Sequence, residues 1–213
     1  MCDVMWLSLG LIAILAYVCG AFPTGYIAAK LISGVDVRKV GSGRTGGTNV
    51  LRAAGVAPAV ITVLVDTGKA YLAVLLARWL VGGSLAEVAA GLAAVYGHNH
   101  SLFLSGKGGA GSMTNIGALL AFSPPVAVAA ALIGLVPLAI SRIASIGSIS
   151  LALGTLALLA VGAWRGWLPA EYVIYGLVSG GMTLWELRPN IRRLRDGNER
   201  RIGEKAVTPN GAA

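Results

Sequence analysis

Charged side chains are scarce in this 213-residue chain, at 12% of the total, roughly half of what a soluble domain carries. With 56% hydrophobic residues and a mean hydropathy of +0.76, that shortage excludes an ordinary soluble protein and points to an integral membrane protein. Cysteine is limited to Cys2 and Cys19, which have no metal-ligand spacing and cannot build a disulfide framework. Both read as small apolar residues. The N-terminus lacks a basic n-region, Asp3 being its only charge. The first apolar run therefore reads as a retained span rather than a cleaved signal peptide. No internal repeat is evident, and the length suits one membrane-embedded domain over 1–213.

A helix needs about 20 apolar residues to cross a bilayer. Candidate spans are 5–32, 56–80, 84–103, 112–122, 124–141, 145–163 and 168–187, followed by a basic tail over 188–213. The fourth is short, and "FSPP" separates it from the fifth, so it is also readable as a half-penetrating helix. The expectation is an all-α polytopic protein with about seven spans, or five or six if the short segments do not cross. Lys and Arg set the orientation. With the N-terminus outside, the inner loops hold Arg38, Lys39, Arg44, Arg52, Lys107 and Arg142. The C-terminal tail, also inside, adds Arg188, Arg192, Arg193, Arg195, Arg200, Arg201 and Lys205. Only Arg165 and, near a boundary, Arg78 stay outside. Asp66 and Lys69, in "VDTGKA", fall within the second span, where charge is costly unless paired or facing a wet cavity. Their i, i+3 spacing suits a structural ion pair, with the lining of a polar site as the alternative.

Three polar segments interrupt the apolar pattern, all on the expected cytoplasmic side. The first, "GSGRTGGTNVLRAAG" over 41–55, has glycines that let backbone N–H groups turn toward one anion. Ser42, Thr45, Thr48 and Asn49 add donors, and Arg52 suits a bidentate phosphate contact. The segment nearly fits a P-loop, but Gly47 stands at the lysine position and no strand precedes it. A phosphate cradle of another kind is expected. The second, "GHNHSLFLSGKGGAG" over 97–111, contains a literal G-x-G-x-x-G, yet no βαβ unit surrounds it. What remains is Lys107 among glycines, again suited to an anion. His98 and His100 precede it without acidic or cysteine partners nearby in the sequence, so no metal site is expected. A structural role is the ordinary reading for His98, with general-base work the alternative. No His is followed five positions later by Asp, the pattern many phospholipid acyltransferases use; position 103 is Phe and 105 is Ser. The third, "RPNIRRLRDGNERRIGEK" over 188–205, reads equally as a basic amphipathic tail on anionic lipid or as part of a site through Asn190, Arg193 and Glu199. Should the three converge, they would form one pocket for phosphorylated groups at the bilayer surface.

At this point the chain resembles a known family, the bacterial acyl-phosphate:glycerol-3-phosphate acyltransferases, or PlsY family. "GSGRTGGTNVLRAAG" is similar to GSGNxGATNxLR, and "VDTGKA" to DxxKG in the second span. "GHNHSLFLSGKGGAG" resembles GHxxPxFLxFKGGKG, "SIGSIS" a family serine turn, and "RPNIRRLRDGNE" the terminal HRxNIxRLxxGxE. The order and spacing match over nearly the whole chain. The resemblance implies a seven-span enzyme of the bacterial plasma membrane, its site facing the cytoplasm, without a cofactor or metal and with no obligate protein partner. It would move a fatty acyl group from acyl phosphate to the first hydroxyl of glycerol 3-phosphate, giving lysophosphatidic acid and phosphate for phospholipid synthesis. Ser42, Lys107 and His98 would be its catalytic residues. Gly41, Gly43, Thr48, Asn49, Arg52, Gly108, Gly109, Asn190, Arg193 and Glu199 would bind substrate. Departures from the pattern are Arg44 for Asn, Gly47 for Ala, Ser101 for Pro, Gly106 for Phe, Ala110 for Lys and Leu187 for His. They admit a divergent member with weak activity or another polyol-phosphate acceptor. An anion or phosphate transporter is the reading from another class, but it would place polar groups near the midplane on broken helices. A non-catalytic scaffold would leave the three segments unexplained.

Overall fold

The computed structural model describes residues 2–203, with side-chain surroundings from Met5 onward. The side chains of Cys2 and Asp3, and Lys205 in the tail, lie outside the described residues. Within them the chain is helical, with no strand. In order the helices are α1 (Cys2–Ala21), α2 (Thr24–Ser33), α3 (Gly47–Ala54), α4 (Val56–Leu80), α5 (Ser84–Asn99), α6 (Ser112–Phe122), α7 (Pro124–Ser141), α8 (Ala144–Trp164), α9 (Glu171–Glu186) and α10 (Arg188–Arg195).

Four segments are long and apolar enough to cross a membrane: Met5–Ser33, Val56–Leu80, Pro124–Ser141 and Ala144–Trp164. Helices α5 and α9 have 16 residues each, about 24 Å, and α6 has 11, about 16 Å. The expected segments 56–80, 112–122 and 124–141 coincide with α4, α6 and α7, and 145–163 with α8 to within a residue. Three others need correction. The run 84–103 stops being α-helical at Asn99, beyond which His100 leaves the helical region, and 168–187 shortens to α9. The run 5–32 is two helices, because Pro23 has no N–H to continue α1. The break frees carbonyls at the end of α1, and that of Phe22 accepts a hydrogen bond from Lys69 Nζ at 3.1 Å.

The inside of the bundle is small and the outside large. Ala16, Ala70, Ala73, Ala77, Ala90, Ala94 and Ala118 are buried, whereas Leu31, Trp79 and Ile140 are about 80% exposed. A lipid-facing surface produces this inversion: apolar bulk costs nothing outside, and close backbone approach holds the helices together inside. Gly20 abuts Ala94 and Gly97 abuts Tyr17 where α1 meets α5, leaving no room for a Cβ at either glycine. α7 packs on α8, α8 on α9, and α4 on both α5 and α6. Far from the glycine-rich segments, Arg78 pairs with Glu87 at 2.8 Å and Tyr172 donates to the same carboxylate at 2.6 Å, tying α4, α5 and α9.

Candidate active site

Residues 41–55 are only half loop. After Gly46 the chain turns into α3, so Thr48, Asn49 and Arg52 are helical rather than flexible. The preceding turn is built around Asn49, which is 3% exposed. Its Oδ1 accepts from the Ser42 N–H at 3.0 Å, and its Nδ2 donates to the carbonyls of Val37, Val40 and Arg44 at 2.8–3.1 Å. Gly43 closes the turn at φ +70°, with the Arg38 carbonyl 3.1 Å from where a Cβ would stand. Asn49 therefore shapes the loop, and it also lines the cavity of the site.

The three polar segments meet. The Thr45 N–H donates to the Gly108 carbonyl at 3.2 Å, joining the first segment to the second. Arg44 donates to the Glu186 carbonyl and lies 3.7 Å from its carboxylate, and Arg52 donates to the Arg200 carbonyl at 3.3 Å. Arg44 thus reaches the end of α9, and Arg52 reaches the C-terminal segment. Burial pulls the Arg44 guanidinium below its ordinary value, against the opposing pull of Glu186. Within the tail, Glu199 is clamped by Asn190 and Arg193 at 2.7 Å each. The Ile202 N–H then returns to the Arg142 carbonyl after α7, at 2.6 Å.

These contacts enclose a cavity of about 330 Å³. Its polar wall includes Ser42, Thr48, Arg52, His98, Asn190 and Glu199, and Asn49 borders it; its apolar wall includes Ile116, Leu135, Leu138 and Leu151, from α6, α7 and α8. Three helix N-termini open onto it: Gly46–Thr48 of α3, Gly111–Met113 of α6, and Ala144–Ser145 of α8. None has a side-chain cap. Unpaired N–H groups and the positive ends of three helix dipoles thus converge, the physical condition for holding an anion.

Other expected site residues lie off the cavity wall. Lys107 is on an exposed turn, and Arg193 stands behind Glu199. Gly41 and Gly43 form the turn, and Gly108 and Gly109 pack beneath the wall. The Gly109 N–H, expected to face an anion, instead donates to the His98 carbonyl at 3.1 Å, because the second segment folds back on the end of α5. Conversely, the sequence reading did not pick Arg44, Ser112, Ser145 or Ser148 as site residues, yet all line the cavity. Ser112 and Ser145, at the starts of apolar runs, carried a signal as N-terminal helix residues. That the two helices aim at one point was not encoded locally. Asp66, read as half of an ion pair, is paired with Lys69 at 2.8 Å and also lines the cavity.

The family described as glycerol-3-phosphate acyltransferase matches residues 10–197. A glycerol-3-phosphate acyltransferase of Thermosynechococcus vestitus is 38% identical over 205 residues, covering 92% of this chain and 95% of the relative. The fold is similar to the crystal structure of PlsY (YgiH), an integral membrane glycerol 3-phosphate acyltransferase, in its glycerol 3-phosphate form. The TM-score is 0.83 at 34% identity, over 92% of this chain and 96% of that one. The lysophosphatidic acid form matches with a TM-score of 0.81 at 32% identity over the same shares. A family match through nearly the whole sequence, and a similar helical fold at 34% identity, place this multi-pass membrane chain in the glycerol-3-phosphate acyltransferase family.

Proposed function

We propose that this protein transfers a fatty acyl group from acyl phosphate to the first hydroxyl of glycerol 3-phosphate, releasing lysophosphatidic acid and phosphate. The observation that carries this reading is the cavity's division into a floor of three uncapped helix N-termini with Arg52 and a wall of leucines and isoleucine. One end suits phosphates, the other an acyl chain.

In the proposed step the hydroxyl oxygen attacks the acyl carbon, the bond from that carbon to the phosphate oxygen breaks, and the hydroxyl proton passes to the departing phosphate. An acyl phosphate is already activated, so alignment supplies much of the acceleration, about 7–11 kcal/mol where the geometry is good. The N–H groups opening α6 and α8 lie where charge develops on the carbonyl oxygen and leaving group. Arg52 and the start of α3 hold a substrate phosphate, Ser42 offers its hydroxyl beside them, and Asn190 and Glu199 bound the polar end. Arg193 acts through Glu199. Lys107, outside the wall, draws anionic substrates toward the mouth.

The proposed setting is a bacterial plasma membrane, with seven crossings, the N-terminus outside and the site facing the cytoplasm, as the distribution of Lys and Arg supports. Purified protein given palmitoyl phosphate and radiolabelled glycerol 3-phosphate should form lysophosphatidic acid, and palmitoyl-CoA in place of palmitoyl phosphate should not. No product with fresh acyl phosphate would refute the enzyme reading. Product from another polyol phosphate alone would reassign the acceptor.

A further inference from the structure

The buried group formed by Asp66, Lys69 and His98 has a more definite arrangement than an ion pair requires. Lys69 is 6% exposed, Asp66 2% and His98 6%. An ammonium has three N–H bonds and no lone pair. Around Lys69 Nζ stand three acceptors: Asp66 Oδ1 at 2.8 Å, the Phe22 carbonyl at 3.1 Å and His98 Nδ1 at 3.1 Å. The Phe22 carbonyl is there because Pro23 breaks the first helical run. The Phe22 carbonyl and His98 Nδ1 are its hydrogen-bond partners, and Asp66 Oδ1 is its ion-pair partner.

A donor with no lone pair requires its imidazole partner to accept. Nδ1 of His98 therefore carries a lone pair, and the ring proton sits on Nε2. The competing arrangement, with a proton on Nδ1 directed at Asp66, would have to span 3.6 Å, outside hydrogen-bonding range. The Nε2 edge of the ring lies over Gly109, where a Cβ would collide with it. Nε2 makes no hydrogen bond to a protein group among the described residues, and the ring borders the cavity.

We propose that Lys69 is a positioning residue that fixes His98 as an Nε2–H donor facing the cavity, so that His98 donates a hydrogen bond to a substrate phosphate or acyl oxygen and is not the general base. This rests on the acyltransferase reading for its substrate but not for its tautomer. It also accounts for the charges in "VDTGKA": Asp66 pairs with Lys69, and Lys69 Nζ faces the ring.

The tautomer is read directly by 15N NMR of histidine-labelled protein in detergent micelles near neutral pH. His100→Gln assigns the two histidine signals, and Asp66 and Lys69 are the charged groups contacting the His98 ring. The expected spectrum has a protonated Nε2 and an unprotonated, hydrogen-bonded Nδ1. A proton on Nδ1, alone or in an imidazolium, would overturn the proposal. Because the wild-type protein is measured, folding of a variant is not at issue. Activity supplies the second readout. His98→Ala should lower kcat about 10²–10³-fold, the loss seen when one transition-state donor is removed. His98→Gln, whose amide N–H replaces Nε2–H, should recover most of it. A folded His98→Gln as inactive as His98→Ala would mark a base and refute the donor role. Absence of turnover in the wild type would refute the acyltransferase reading while leaving the tautomer to the spectrum.

Discussion

The carboxamide of Asn49 is spent mainly on its own loop: Oδ1 accepts from the Ser42 N–H, and both Nδ2 hydrogens are spread over three loop carbonyls. A buried partner left unsatisfied costs about 1–3 kcal/mol. Asn49→Ala should therefore lower the thermal unfolding temperature in detergent as well as the activity. Arg52→Ala should remove activity with a smaller thermal shift, because Arg52 lines the cavity and its loss leaves the Asn49-centred turn intact. Equal thermal losses would contradict the division of roles. Asp36, at the entrance to the same loop, is held down at about 2 by the Arg38 guanidinium, against the opposing effect of burial. Arg38 donates to both carboxylate oxygens, at 2.9 and 2.8 Å. A folded pKa below the unfolded one contributes stability that is complete above the unfolded value and lost as pH falls through the folded value. The thermal advantage of wild type over Asp36→Asn should be constant above about pH 5 and shrink between about pH 4 and 2. An advantage that grew on acidification would contradict the sign.

At the scale of elements, what holds α6 in place is the absence of side chains. Gly117 packs on the Thr67 carbonyl of α4 so closely that a Cβ cannot be accommodated, whereas Gly181 on α9 faces open space. Both are helical, so propensity alone favours Ala over Gly by roughly 0.5–1 kcal/mol at each. Gly181→Ala should be neutral or stabilising. Gly117→Ala should destabilise by about 1–3 kcal/mol, as overpacking does, and should tilt the α6 N-terminus away from the cavity, raising KM. Thermal unfolding and steady-state kinetics on the pair separate helix propensity from packing. The opposite order of stability would mean that α4 and α6 are not in the contact described.

For the whole molecule, the polar segments lie at one end of the bundle and the Arg78–Glu87–Tyr172 staple toward the other, an asymmetry that a topology experiment reads. Lys39 and Ala170 are both exposed, the first beside the glycine turn and the second between α8 and α9. With Cys2 and Cys19 replaced, Lys39→Cys should react with a membrane-impermeant maleimide only after the cells are opened, and Ala170→Cys in intact cells. Labelling of both from the same side would refute the proposed crossing number.

Much of the architecture was legible in the sequence because lipid imposes a one-dimensional rule: an apolar run of sufficient length must become a helix, and 56–80, 112–122 and 124–141 match α4, α6 and α7. The spaced glycine-rich motifs likewise carried the family. Where a polar side chain spends its hydrogen bonds was not local information. Asn49 turned inward to loop carbonyls and the Gly109 N–H to a carbonyl at the end of α5, Lys107 was left outside, and three helix starts separated by nearly 100 residues came to face one cavity. Those outcomes depend on how helices pack, and packing alone decided that the break at Pro23 would place a carbonyl on Lys69, and Lys69 on His98.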